Sequence, residues 1–172
     1  MNLQRAFGQT PLGEVILLAD HRKLVALMWA DGVERTEQHL FRHLGPWRTT
    51  NVGEIPAWSS ALDAYWAGDH NPFRELPLIE AGTVFQQRVW AALRTIPWGS
   101  TWSYRELSNA IAHPNAHRAV ASANGRNPIP IVTPCHRVIA SNGGLGGFSG
   151  GLDKKRFLLG HEGQRHWGPV HT

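Results

Sequence analysis

Residues 127–139 read NPIPIVTPCHRVI and hold the chain's only cysteine, Cys135, with His136 directly after it. The prolines of this stretch stiffen the approach to the thiol, because each proline fixes its own φ and restricts the residue before it. A thiolate is a far stronger nucleophile than a thiol, so a reactive cysteine needs a nearby base or a positive field. His136 and Arg137 offer both. The stretch is therefore typical of a loop that holds a nucleophile in one pose.

Two observations keep other interpretations of Cys135 open. A lone cysteine is commonly a small buried hydrophobe with no chemical role. In addition, neighbouring residues on an extended chain point to opposite sides, which argues against direct contact between the Cys135 thiol and the His136 ring. A bridging water or a turn at this position would remove the second objection.

Length and composition set the class of protein. With 172 residues the chain can form one large domain or two small ones. One cysteine can make neither an internal disulfide nor a multi-cysteine zinc site, so we expect a reducing, cytoplasmic location. We find no apolar run that would span a bilayer and no signal-peptide core, and we expect no membrane partner. The net charge of +4 favours a polyanionic partner without requiring one.

The first half of the chain predicts a small sheet with helices. Apolar runs at 12–19 and 24–29 flank a polar DHRK segment and predict an antiparallel hairpin. Helical spacing predicts a helix over 32–44 and a second one that starts near Pro56 and ends at Gly68. The turn-rich segment 69–77 is the predicted linker between two domains, 1–78 and 79–172.

The second half predicts mainly helices. A helix over 85–96 ends at Pro97, and Ser103 with Glu106 has capping-box spacing for a short helix. A further short helix over 116–124 completes a helix-turn-helix pattern. A last helix over 154–161, capped by Asp153, precedes a loose tail at 164–172. The predicted fold class is α+β: a small N-terminal antiparallel β-sheet with helices, then a mainly α-helical C-terminal domain that contains the helix-turn-helix.

The second helix of that pattern carries small residues and one early cation, Arg118. Small side chains let a helix pack closely against a neighbouring helix. They equally suit insertion into the narrow minor groove of DNA, with Arg118 as a probe of the base stack. After it, the glycine-rich segment 140–151 lacks a P-loop lysine, so we interpret it as backbone that packs tightly around a flat ligand.

The motif PCHRV at 134–138 resembles the O6-alkylguanine-DNA alkyltransferase family of direct-reversal DNA repair proteins. Further motifs follow the family order over most of residues 80–165, and the first half resembles the family mainly at TPLG, 10–13. These motifs are FQQRVW (85–90), RTIPWG (94–99), SYREL (103–107), RAV (118–120), NP (127–128) and HEG (161–163).

This resemblance implies that Cys135 takes the alkyl group from O6 of a damaged guanine. It also implies that His136 acts on Cys135 through a water and that Glu162 orients His136, which meets the adjacency objection. We expect Arg137 to be structural, with its side chain directed away from the thiol. A thioether is hard to reverse, so we expect one repair per molecule and no cofactor. Activity on O4-alkylthymine stays open.

The resemblance also assigns residues to DNA and to the flipped base, which must leave the duplex because its O6 lies inside the stack. Arg118 would fill the vacated space, with Ala119 and Ser122 on the same helix against the DNA, while Tyr104 assists rotation and hydrogen-bonds the base. The base-pocket residues implied are Ser149 through its N–H, Cys135 and Val138 through their carbonyls, and Asn127 as the shaper of the loop. From the residues alone, Tyr104 is equally a packing residue, Asn127 a turn former and Glu162 a helix-end charge.

Departures from the family pattern are few. Phe148 stands where a tyrosine is common, and His117 adds a histidine beside the expected DNA face. The cysteines of zinc-holding members are absent, so no metal is expected. We expect a monomer in solution and leave cooperative assembly on DNA open. Two other functions compete: a non-catalytic binder of alkylated DNA, which in related proteins has tryptophan in place of Cys135, and a thiol hydrolase with a Cys-His pair.

Overall fold

The N-terminal hairpin is part of a four-stranded sheet. The computed structural model describes residues 1–164 and divides the chain into two compact units between Thr83 and Val84. In the first unit, strands β1 (Asn2–Thr10), β2 (Gly13–Asp20), β3 (Lys23–Trp29) and β4 (Arg48–Asn51) lie in the order β3-β2-β1-β4. The predicted hairpin is confirmed as β2 and β3, which pair from Val15 with Trp29 to Asp20 with Lys23.

The predicted antiparallel sheet is confirmed for β1, β2 and β3, and the added strand β4 departs from it. β4 pairs with β1 in parallel, from Asn2 with Arg48 to Arg5 with Asn51, while β1 and β2 are antiparallel. Helix α1 (Val33–Leu44) reverses the chain after β3, so that β4 runs in the same direction as β1. The sheet is therefore mixed. Because the side chains of β4 are all exposed, this strand has no apolar pattern that could reveal it.

Two helices of this unit form as the sequence predicts. α1 buries Leu40 against Leu3, Leu18 and Val25 of the sheet and ends at Gly45, whose φ is +74°. α2 (Pro56–Trp66) has its proline in the first turn, where the missing N–H costs no hydrogen bond. Its apolar stripe is buried, and Trp58 Nε1 donates to the carbonyl of Arg22 at 2.8 Å.

The second unit packs short helices around one core. It contains α3 (Val84–Leu93), β5 (Trp102–Ser103), α4 (Tyr104–Ala110), α5 (His117–Gly125), a short 3-10 helix (Cys135–Arg137), β6 (Val138–Ile139) and α6 (Leu152–His161). β5 and β6 pair in parallel, which joins the start of α4 to the segment after the cysteine. The core residues include Val89, Trp90, Leu93, Leu107, Val120, Cys135 and Val138.

The helix ends of this unit test the predictions. The capping box of α4 is confirmed: Glu106 N–H donates to Ser103 Oγ at 3.1 Å, and Ser103 N–H donates to Glu106 Oε2 at 2.6 Å. The predicted cap Asp153 is wrong. α6 starts earlier, at Leu152, because Gly151 turns the chain with φ +98°, and Asp153 lies in the first turn.

Of the predicted loose tail, only Gln164 lies within the described residues. Its N–H donates to Leu159 O at 2.8 Å and its side chain donates to Gly99 O, so it is anchored and the prediction is wrong for this residue. Within residues 1–164, we find no helix with the length and hydropathy needed to cross a membrane.

Candidate active site

The Cys135 thiol is buried at the start of a 3-10 turn. The residue is 2% exposed, and its N–H donates to Thr133 O at 2.8 Å. Burial raises the pKa of the thiol, while the Asn127 side chain, the Lys155 charge and the N–H groups of Cys135 and His136 act in the opposite direction. Because burial dominates, the resting group is the neutral thiol, and it needs a base to become a nucleophile.

The approach to the cysteine is held by hydrogen bonds as well as by proline. Asn127 Nδ2 donates to Thr133 O at 2.7 Å, and its Oδ1 accepts from Ile129 N–H at 2.9 Å. Arg94 Nη1 binds the Thr133 hydroxyl at 2.9 Å. Ile131 has φ +74°, which is rare for a β-branched residue. Asn127 is therefore a turn former and a partner of the thiol at once.

The carboxylate of Glu162 joins the residues that follow the cysteine. Its Oε2 lies 2.8 Å from His136 Nε2, and both side chains are almost fully buried, at 1% and 0% exposed. Burial alone would raise the pKa of Glu162, but the opposing influence of His136 and Arg137 outweighs it and lowers that pKa. The carboxylate is therefore ionised and accepts the Nε2 hydrogen, which leaves His136 Nδ1 as the acceptor of the ring.

His136 Nδ1 is buried and has no hydrogen-bond partner among the described residues. The His136 main-chain N–H lowers the pKa of the Cys135 thiol against the effect of burial. A buried ring nitrogen without a protein partner is a position that a bridging water can satisfy.

Arg137 takes a larger part in this cluster than its sequence position predicts. Its Nε donates to Glu162 Oε1 at 2.6 Å, its Nη2 to Oε2 at 3.1 Å and its Nη1 to Ile96 O at 2.6 Å. Three of its donors are thus used by Glu162 and by a main-chain carbonyl. It holds the carboxylate that holds His136, and this bidentate pairing explains why a charge this deeply buried is tolerated.

Tyr104 lies beside the cysteine at the start of α4. Burial raises the pKa of its hydroxyl, the Cys135 charge acts in the same direction, and the Asn124 side chain opposes both. The group therefore stays protonated and can donate a hydrogen bond. Gly146, with φ +71°, approaches the Tyr104 ring so closely that a Cβ would lie 3.4 Å from Cε2. The positive φ is the property that favours glycine at this position.

The glycine-rich segment forms the wall opposite Tyr104. Val138 is buried in β6, Phe148 packs against the core, and Ser149 is exposed. Lys155 of α6 reaches this wall: its ammonium donates to Val138 O at 2.6 Å and to Gly147 O at 3.0 Å.

Sequence reasoning missed two residues of this site. Lys155 is fully buried, and a signal for it exists, since it shares one face of α6 with Leu158, Leu159 and Glu162 at helical spacing. Asn124 is buried in α5, and its Nδ2 approaches Cys135 O at 3.5 Å. The small residue Ala123 beside it indicates which face of the helix is buried. Nothing in the sequence indicates that Asn124 contacts Tyr104 and Cys135.

The other face of α5 is exposed. Val120 and Ala123 point inward, and Trp90 Nε1 donates to Ala123 O at 2.8 Å. Arg118, Ala119 and Ser122 are exposed, as is His117 at the first position of the helix. Close packing against a neighbouring helix thus accounts for Ala123 and is wrong for the small residues beside Arg118.

The site combines one buried thiol, one imidazole oriented by a carboxylate and one protonated hydroxyl. Within residues 1–164, no group of three or more His, Cys, Asp or Glu side chains is arranged to hold a metal ion. The arrangement suits transfer of a group to the Cys135 sulfur.

Both units match families of known proteins. Residues 3–79 match the family described as 6-O-methylguanine DNA methyltransferase, ribonuclease-like domain, and residues 84–164 match the corresponding DNA binding domain. A methylated-DNA--protein-cysteine methyltransferase of Shigella flexneri is 43% identical over 160 residues, which cover 90% of this chain and 92% of that protein. One of Mycobacterium bovis is 50% identical over 123 residues, with 70% and 74% covered.

Solved structures show the same fold. The crystal structure of Mycobacterium tuberculosis OGT in complex with DNA matches with a TM-score of 0.80 and 37% identity, and the match covers 97% of this chain and 96% of that one. The O6-methylguanine-DNA methyltransferase of Pyrococcus kodakaraensis matches with a TM-score of 0.75 and 25% identity, with 94% and 99% covered. These matches extend over both units of the chain.

Proposed function

Because the chain belongs to the 6-O-methylguanine DNA methyltransferase family, we propose that it repairs O6-alkylguanine in DNA by transferring the alkyl group to Cys135. Transfer to a cysteine of the protein itself gives a stable thioether, so each molecule acts once. No cofactor takes part in this reaction. The observation that carries the proposal is the buried chain of contacts from Glu162 to His136 beside the one cysteine.

The transfer itself exchanges one bond for another. The thiol proton passes to His136 Nδ1 through a water, and Glu162 stabilises the imidazolium that results. The thiolate sulfur then bonds to the alkyl carbon while the bond from that carbon to O6 breaks, and its electron pair stays on the guanine. Tyr104 donates a hydrogen bond to the base as this charge develops. The guanine gains one proton in place of the one that the thiol lost.

The base has to reach a buried thiol, so we propose that it is flipped out of the duplex. Arg118 would enter the stack in its place, and the small exposed residues Ala119 and Ser122 would let α5 approach the floor of the minor groove. The Cys135 and Val138 carbonyls would accept from the exocyclic amine, and the Ser149 N–H would bind near O6.

The finer points of partner and location follow from the same chemistry. We propose double-stranded DNA as the partner, approached from the minor groove by one protein molecule per lesion. A nucleophile that acts once must be kept as a thiol until it meets the lesion, which favours a reducing compartment such as the cytoplasm.

A titration tests the function. Duplex DNA with one O6-methylguanine is added in increasing excess to a fixed amount of protein, and the restored guanine is counted. We expect a plateau at one repaired lesion per protein molecule, and no repair by Cys135→Ser at the same DNA occupancy. Repair that continues past the plateau would indicate a turning-over hydrolase. Binding to the lesion without repair by the unaltered chain would indicate a lesion-binding protein.

A further inference from the structure

The last turn of α5 buries a polar side chain that the reaction described above does not use. Asn124 is 4% exposed, although asparagine is mostly found at protein surfaces. The inward residues beside it, Val120 and Ala123, are apolar, whereas Arg118 on the same helix is exposed. The Oδ1 atom of Asn124 is buried and has no hydrogen-bond partner among residues 1–164. A leucine would avoid this unsatisfied acceptor, so stability does not account for an amide at this position.

The Nδ2 atom of the same amide faces the cysteine turn. It lies 3.5 Å from Cys135 O, which is long for a hydrogen bond and makes the contact weak. A carbonyl oxygen can only accept, so the atom of Asn124 that faces it is the nitrogen and not the oxygen. Asn124 therefore presents a donor to the residues around the thiol.

Tyr104 is the second neighbour of this amide. Its ring packs against the core cluster that includes Ala123 and Cys135. Burial and the Cys135 charge raise the pKa of the Tyr104 hydroxyl, and the Asn124 side chain opposes both. A hydrogen bond lowers the pKa of a phenol when the neighbour donates to its oxygen, because such a bond favours the charged form. Nδ2 carries two hydrogens, one for Cys135 O and one for the Tyr104 oxygen.

A donor on the Tyr104 oxygen determines where the hydroxyl hydrogen points. A phenol has one hydrogen, which rotates to suit the groups around it. When Nδ2 donates to the oxygen, the O–H cannot be directed at Asn124 and is kept for another acceptor. The contact also polarises the O–H bond, which makes it a stronger donor. The Cys135 carbonyl keeps a second lone pair for the base, since each carbonyl oxygen has two.

We propose that Asn124 is a positioning residue for alkyl transfer, whose amide nitrogen holds the Tyr104 hydroxyl with its hydrogen towards the bound base and steadies the Cys135 carbonyl beside it. This proposal rests on the proposed function and adds a link from the DNA-facing helix to the base pocket. Helix α5 thus carries Arg118 on its exposed face and the support of Tyr104 on its buried face. Asn124 acts on the reaction only through these two neighbours.

A double-mutant cycle tests whether Asn124 acts through Tyr104. Asn124→Leu keeps the size of the side chain and removes the amide, Tyr104→Phe removes only the hydroxyl, and the double variant completes the cycle. Val120→Ala loosens the packing of the same buried face and serves as the matched control. For each protein, the single-turnover rate of transfer is measured at saturating protein with a duplex that contains O6-methylguanine. The second-order rate with free O6-alkylguanine base, the Kd for the duplex and the unfolding free energy in urea are measured as well.

We expect Asn124→Leu to slow transfer about five- to ten-fold, as for the loss of one neutral hydrogen bond. Tyr104→Phe removes the donor itself and should slow transfer by about 10²-fold. The double variant should match Tyr104→Phe within about two-fold, because no hydroxyl is left for Asn124 to hold. The loss in Asn124→Leu should be equal with duplex and free base, and its Kd should stay within about two-fold. Val120→Ala should lower stability and leave the transfer rate unchanged.

The contact between Asn124 and Tyr104 can be observed without DNA. Labelling tyrosine with ¹³C at Cζ gives two signals, since the chain contains two tyrosines, and Tyr104→Phe assigns them. Asn124→Leu should shift the NMR signal of Tyr104 and leave that of Tyr65 in place. Val120→Ala should shift the Tyr104 signal much less.

Three results would overturn the proposal: an unshifted Tyr104 signal in Asn124→Leu, an unchanged transfer rate, or the same slowing by this substitution with and without the Tyr104 hydroxyl. If Asn124→Leu does not fold, Asn124→Ala decides by the same readouts. The NMR measurement tests the contact even if the unaltered chain repairs no lesion. Failure of the proposed function is therefore distinguishable from failure of this inference.

Discussion

Arg137 and Arg118 are the same residue type on two sides of one small unit, and their surroundings differ in every respect. Arg137 is buried, with its guanidinium bound to Glu162 and to a main-chain carbonyl. Arg118 is exposed near the start of α5. A buried, fully paired arginine fixes geometry, whereas an exposed one on a long flexible stem is free to reach a partner. In the proposed mechanism the buried cluster serves the chemistry, and the α5 face serves the delivery of the base.

The largest expected effect is on the buried side. Cys135→Ser should abolish transfer, because a hydroxyl in this pocket is a far weaker nucleophile than a thiolate. Binding to a duplex with O6-methylguanine should stay within about two-fold, since Cys135 lies away from the exposed α5 face, a difference of under about 0.5 kcal/mol. The measurement is a fluorescence anisotropy titration next to a repair assay. A large loss of DNA binding would contradict the separation of the two regions.

Glu162→Gln should damage both chemistry and stability. The neutral amide leaves Arg137 as a buried cation without its counter-charge, a loss of about 3–5 kcal/mol of unfolding free energy. It also removes the group that orients His136, so transfer should slow by about 10²-fold or more. Urea denaturation and single-turnover kinetics measure the two effects. Arg137→Met is the matched control, since it should destabilise the unit through the same pair while the His136–Glu162 contact stays.

Acid should remove the same stabilisation without any mutation. The pKa of Glu162 is lowered in the folded state, by His136 and Arg137 against the effect of burial. Its contribution to stability is therefore present above the unfolded value near pH 4.3 and is lost as the pH falls toward the folded pKa. The unfolding free energy of Glu162→Gln should depend less on pH over this range than that of the unaltered chain. Parallel pH profiles of the two proteins would argue that another group dominates.

Arg118→Ala should affect delivery alone. Losing the residue that fills the vacated stack should cost about 1–3 kcal/mol, or about 5- to 150-fold in the rate of repair in duplex DNA. The reaction with free O6-alkylguanine base should be unchanged, and the free energy of unfolding in urea should change by less than about 0.5 kcal/mol, as expected for an exposed position. Equal losses with duplex and free base would contradict the flipping role.

The smallest effect is expected at Ala119. Ala119→Leu places a bulky side chain on the exposed face of α5, which should weaken DNA binding by about ten-fold if this face enters a narrow groove. Val120→Ala, on the buried face, should instead lower stability and leave the Kd of the folded protein nearly unchanged. Tighter DNA binding by Ala119→Leu would argue that the helix meets DNA in another way.

Local rules predicted many elements of this fold. The hairpin, α1, α2 with Pro56 in its first turn and the Ser103–Glu106 capping box follow from periodicity and capping within a few residues. The sequence could not predict β4, because its residues are exposed and the strand forms only by pairing with β1. The start of α6 shifted because Gly151, not Asp153, turns the chain into the helix.

Some residues of the candidate site were also predicted from the sequence, and others were not. Cys135, His136 and Glu162 came from a motif and its resemblance, and the fold brings His136 and Glu162 to 2.8 Å. Packing of α5 and α6 around the Cys135–Arg137 turn determines the contacts of Lys155, Asn124 and Arg137. The spacing of Lys155 with Leu158 and Leu159 indicates the inward face of α6, but it does not show that carbonyls and not solvent bind the ammonium. The burial and contacts of those residues are therefore set by tertiary packing.

The central claim is that the buried sulfur of Cys135 is the atom that accepts the alkyl group. The most direct measurement is the mass of the intact protein and of its peptides after a single exposure to duplex DNA containing O6-methylguanine. We predict the added mass of one methyl group on the peptide that contains Cys135, with an equal amount of guanine restored in the DNA. An unmodified protein beside repaired DNA, or a methyl group on another residue, would contradict the account.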